Sequence, residues 1–95
     1  MENYLVDNNN IPLHLEECNG TRLLTVDGVN IEIEIGENRP FKFECWCGWS
    51  REFGAIIQVT EDNKVTLYEY YEGLLRYPTE YSSVYKALQE AITWT

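Results

Sequence analysis

Four side chains could do metal or nucleophilic chemistry: Cys18, Cys45, Cys47 and His14, the three cysteines and one histidine of a 95-residue chain. Thiolate and imidazole together offer a tetrahedral zinc site, and an imidazole beside a thiol offers a base for a nucleophilic cysteine. The spacing argues against both. Structural zinc takes ligand pairs on tight turns with about two to four residues between them, whereas a single residue separates Cys45 from Cys47, and an extended strand splays their thiols. That separation also rules out an ordinary disulfide within one strand, and the odd count points to reduced thiols. Buried apolar cysteine is favoured over a metal ligand, and no cofactor is expected. No glycine-rich phosphate loop or nucleophile elbow accompanies His14, so the chain is not expected to be an enzyme.

The remaining chemistry is that of surfaces. Sixteen acidic residues against 7 basic ones give a formal charge of −9, with the acids spread along the chain rather than gathered into a tail. Such a field repels DNA, RNA and anionic lipid and attracts basic protein surfaces. Glu32, Glu34 and Glu44 are expected together on the outer face of neighbouring strands, with Lys42 opposite Glu34. Trp46, Tyr68 and Tyr70 alternate toward that same face, and Trp49 lies in the adjoining loop. Aromatic rings set among carboxylates suit a protein interface, because large amphipathic side chains anchor binding while the charges orient a cationic partner. The competing structural reading is that the N-terminal segment or residues 72–77 fold over the rings and cover them. Simple solubility likewise competes with partner choice as the reason for the charge.

These side chains need a sheet to position them. The segment Leu23 to Val26, the pair Asp27-Gly28 and the segment Val29 to Ile35 read as a two-residue hairpin, with Val26 opposite Val29 and Leu24 opposite Ile31. The inward row is then Leu24, Val26, Val29, Ile31, Ile33 and Ile35. Phe41, Phe43, Cys45 and Cys47 alternate onto one face of the next strand. Residues 55–60 and 65–71 form a second hairpin, with Asn63 left-handed in a three-residue loop and Val65 and Leu67 opposite Val59 and Ile57. A short edge strand is expected at Leu13 to Leu15. From Pro78 the period changes, with Tyr81, Val84, Tyr85, Leu88, Ala91 and Ile92 three and four apart. This predicts an amphipathic helix capped by Thr79 or Ser82.

The expected fold is α+β, one domain over residues 1–95: an antiparallel β-meander of about five to six strands, packed on one face by a single C-terminal α-helix. No run approaches the roughly 20 apolar residues of a membrane span, and the start lacks a basic signal layout, so a cytoplasmic protein with no membrane partner is expected. The expected function is stoichiometric binding to a basic, nucleic-acid-handling protein, without direct contact to nucleic acid. The partner-binding residues are Glu32, Glu34, Glu44, Trp46, Trp49, Tyr68 and Tyr70. In charge, length and class the chain is similar to bacterial immunity proteins against nuclease toxins and to phage anti-defence proteins such as anti-CRISPR proteins and DNA mimics. No site is carried over from them. The alternatives are a small-ligand or zinc-binding domain built on Cys18, Cys45, Cys47 and His14, and a homodimer paired through its aromatic sheet face.

Overall fold

The structure, a computed structural model, describes residues 4–6, 12–36, 40–48 and 52–94, the side chains of residues 4–6, 12 and 18 excepted. Eight antiparallel strands lie in one sheet in chain order: β1 (Tyr4–Val6), β2 (Pro12–Cys18), β3 (Thr21–Val26), β4 (Val29–Gly36), β5 (Phe43–Gly48), β6 (Phe53–Val59), β7 (Val65–Tyr71) and β8 (Leu74–Tyr81). The short β1 pairs only with the start of β2, and β2 to β8 form the continuous seven-stranded ladder. One helix, α1 (Val84–Ala91), follows and runs into a 3-10 turn at Ile92–Trp94.

Three of the meander's connections are two-residue turns in which both central residues are left-handed. Asn19-Gly20 has φ values of 53° and 81°, Asp27-Gly28 of 49° and 81°, and Glu72-Gly73 of 47° and 86°. This is the type I′ geometry, whose twist matches that of the flanking strands. The Asp27-Gly28 hairpin has the expected register, Val26 opposite Val29 and Leu24 opposite Ile31. So does the β6–β7 hairpin, with Val59 opposite Val65, Ile57 opposite Leu67, and Asn63 at φ 64°.

Four expectations need correction. The strand count is higher than five to six, because β8 runs through residues 74–81 where the helix was expected to begin. Pro78 does not start the helix: it sits on an edge strand, where a missing N–H breaks no ladder. The preceding Tyr77, at φ 56°, marks a bulge there. The helix cap is Ser83 rather than Thr79 or Ser82, its hydroxyl accepting from the Lys86 N–H at 3.1 Å. Val29 is exposed rather than part of the inward row.

The core lies between the inner sheet face and α1. Cross-strand rows run Leu15, Leu24, Ile31 and then Ile35, Cys45, Ile57, Leu67. From the helix, Val84, Ala87, Leu88 and Ala91 are fully buried against them. The helix touches β3 as well as β6, β7 and β8, so it spans the curl of the sheet. A polar clasp fixes that crossing: the Tyr85 hydroxyl donates to Asp27 Oδ1 at 3.1 Å, and Gln89 Nε2 donates to Asp27 Oδ2 at 3.0 Å. Residues 85 and 89 are one helical turn apart, which is why one carboxylate serves both.

Burial and clasp predict effects of different size. Leu88→Ala should lower the unfolding free energy by about 2–5 kcal/mol, because it leaves a cavity under the only helix among the described residues. Tyr85→Phe, which removes one exposed hydrogen bond, should cost no more than about 1 kcal/mol. Urea denaturation of both variants checks the order, and equal losses would show that the clasp, not the core, holds the helix.

Candidate functional site

Strand alternation places the expected binding residues of β4, β5 and β7 on the sheet face opposite α1, and register decides which of them meet. Across β4 to β7 one row reads Glu34, Trp46, Ile56, Tyr68. On one side of it lies the row Glu32, Gly48, Gly54, Tyr70, continued by Leu75 on β8; on the other lies Gly36, Glu44, Gln58, Thr66, continued by Glu80. Glu34 is therefore opposite Trp46, not Lys42. Lys42 precedes β5 and donates to Asn63 Oδ1 at 3.0 Å. Glu32 and Glu44 are two rows apart rather than neighbours, and Glu44 accepts from Gln58 Nε2 at 2.8 Å.

Glu32 and Glu34 are exposed, and Glu44, Trp46, Tyr68 and Tyr70 are half-buried. Trp49 lies outside the described residues. Residues 72–77 do not fold over the aromatic row; they form the β7–β8 turn and the start of β8.

Two glycines shape this face. Gly48 and Gly54 are opposite each other on β5 and β6. A Cβ at Gly54 would stand 2.5 Å from the Cys47 carbonyl oxygen. A Cβ at Gly48 would overlap the six-membered ring of Trp46. The indole thus turns along its own strand and lies down on the space that Gly48 leaves open, filling a side-chain gap with an aromatic surface. The spacing Trp46-x-Gly48 carries this signal in the sequence, and sequence reasoning missed it.

A second aromatic cluster, also missed, surrounds the β7–β8 turn. The Arg76 guanidinium is 5.2 Å from the Tyr71 ring centre and 5.3 Å from that of Tyr77, and it pairs with Glu69 at 2.6 Å. Tyr71, Tyr77, Leu74 and Leu75 are exposed around it.

The described soft donors, Cys45, Cys47 and His14, are not brought together. Cys45 and Cys47 are fully buried on the inner face, while His14, between buried Leu13 and Leu15 on β2, is exposed and points the other way. The Cys18 side chain is outside the described residues. Among the described residues, no group of three or more His, Cys, Asp and Glu side chains is arranged to hold a metal ion. Burial pushes the Cys47 thiol from its ordinary 9.0 up to about 12. Burial, then Cys47, then Glu44 push Cys45 up as well. Both thiols are protonated, poor nucleophiles at neutral pH.

No protein-family model, curated protein or solved structure matches the chain. No described helix is long and apolar enough to cross a membrane.

The raised thiols predict alkaline instability with a definite sign. Below pH 9 both the folded and the unfolded chain keep the Cys47 proton, so this group adds no pH dependence. Between 9 and about 12 the unfolded chain loses that proton while the folded one keeps it. The fold then loses about 1.4 kcal/mol per pH unit through this group. Urea titrations at pH 8, 9 and 10 should show stability falling above 9, and less steeply in Cys47→Ala. Parallel slopes for the two proteins would contradict the assignment.

Proposed function

We propose that this chain is a protein-binding module that acts by occupation, docking the outer face of β4 to β7 on the basic surface of a nucleic-acid-handling protein and so inhibiting it. The observation that supports this reading is the row Glu34, Trp46, Ile56, Tyr68, with Glu32 and Glu44 on the rows beside it. It combines half-buried apolar surface with negative charge on one antiparallel sheet face, at a net charge of −9. A surface evolved to hold phosphates is basic, and carboxylates in place of phosphates meet it electrostatically while the rings are desolvated against it. No covalent step is involved. In charge and length the reading fits an antagonist of the immunity-protein, anti-CRISPR or DNA-mimic type.

Self-association through the same face is less favourable, because it would set Glu32 and Glu34 of one copy against those of another. Docking predicts steep salt dependence. Affinity capture from the native host's lysate should retain one basic nucleic-acid-binding protein at low salt and release it as salt is raised. The purified pair should form a one-to-one complex that no longer binds nucleic acid. Changing Glu32, Glu34 and Glu44 together to Gln should abolish capture without unfolding the protein. Enrichment of no basic protein, or capture undiminished in the triple variant, would sink the reading. Solution mass of the protein alone tests the homodimer.

A further inference from the structure

We propose that Trp46 and Glu34 form a seat for one arginine side chain of a protein partner, the guanidinium lying on the indole and forking its N–H groups onto the Glu34 carboxylate. The inference deepens the docking reading and rests on it for the identity of the partner as a basic protein.

Three observations carry it. First, the ring has a bed: Trp46 lies over Gly48, in space that any Cβ there would take, so bare backbone rather than a side chain sits beneath the indole. Its partial exposure leaves part of that surface open to solvent. Second, the carboxylate is positioned: Glu34 is the direct cross-strand neighbour of Trp46 and is exposed. Directly opposed residues have Cβ atoms roughly 4.5–5.5 Å apart. The indole runs from there toward Gly48, whose own cross-strand partner is Glu32, so the long Glu34 side chain reaches the near end of the ring. A cation is attracted to an indole face within about 6 Å of its centre. One planar group can therefore reach ring and carboxylate together. Third, the described positions of β4 to β7 on this face include no lysine or arginine to fill the seat from within.

The molecule builds the filled version elsewhere. Arg76 lies beside the rings of Tyr71 and Tyr77 and bonds the carboxylate of Glu69, the residue opposite it on the neighbouring strand. There the carboxylate and the Tyr71 ring come from one strand, two residues apart; Glu34 and Trp46 supply the same two groups across a strand pair, without the cation. Guanidinium fits better than ammonium because it is planar, stacks on an aromatic face and offers paired donors to a carboxylate, while lysine is a compact and more strongly hydrated charge.

The test follows the indole N–H resonance of Trp46 and the backbone amide of Glu34 by NMR. Capped Gly-Arg-Gly, capped Gly-Lys-Gly and tetramethylammonium chloride are titrated separately at matched ionic strength. The arginine peptide should shift both signals saturably, and the other two should bind about twofold to fivefold more weakly. Glu34→Gln should weaken the arginine peptide by a similar factor. Gly48→Val alters no charge but puts side-chain atoms where the ring lies, and should remove the preference for arginine. If that variant does not fold, Trp46→Leu, followed at the Glu34 amide, gives the same reading. Equal binding of all three cations, no saturation, or an undiminished arginine preference in a folded Gly48→Val or Trp46→Leu protein would overturn the seat. A captured basic protein that binds Trp46→Leu as tightly as the unaltered chain overturns the seat and leaves the docking reading standing. Saturation by the arginine peptide with no protein captured supports the seat and removes the docking reading.

Discussion

An antiparallel sheet with one apolar face has to bury that face, and here a helix of eight residues does most of the covering. Ile31, Ile33, Ile57 and Leu67 on the sheet and Leu88 on the helix are the largest fully buried side chains. Each contributes roughly 1.5–3 kcal/mol by leaving water. So short a helix would not hold together alone in water. Its order comes from packing, and the packing needs the helix placed across strands far apart in the sheet. The Asp27 carboxylate, held at a left-handed turn and accepting from both Tyr85 and Gln89, ties the β3–β4 hairpin to the far end of the chain.

The period-two alternation of strands then divides the chemistry between two environments. Cys45 and Cys47 face the core, where burial keeps their thiols protonated, while the intervening Trp46 faces out and lies on Gly48. A one-residue slip in β5 would exchange the two, so the register of the hairpins governs the site as much as the fold. The same alternation separates His14 from the cysteine pair, so these three soft donors share no common centre.

Hairpin geometry was legible wherever a turn pair sat between clear apolar alternations, as at Asp27-Gly28 and in the Asn63 loop. Asn19-Gly20 is an equally strong turn signal, but the half-buried and charged residues around it mask the alternation. Glu72-Gly73 was hidden for another reason: β8 is an edge strand whose residues are mostly exposed, and its Pro78 resembles a helix start. The inward faces of β3 to β7 followed from side-chain pattern. The pairing of Glu34 with Trp46 depends on how β4 meets β5 across a connection of six residues, a length that leaves the register open in the sequence. The seating of Trp46 on Gly48 depends on a rotamer that spacing can suggest but not determine.

Strand order equal to chain order has a consequence for the protein during synthesis. Every ladder joins segments adjacent in sequence, so each hairpin can close as soon as its second strand leaves the ribosome, on the order of microseconds. The cover for the core comes last. With β6 complete at Val59, residues 60–91 must still be added before the helix exists, which takes a few seconds at roughly 5–20 residues per second. For that interval the nascent chain presents a paired sheet with its oily side bare, a state that a chaperone would recognise and a neighbouring polysome could foul.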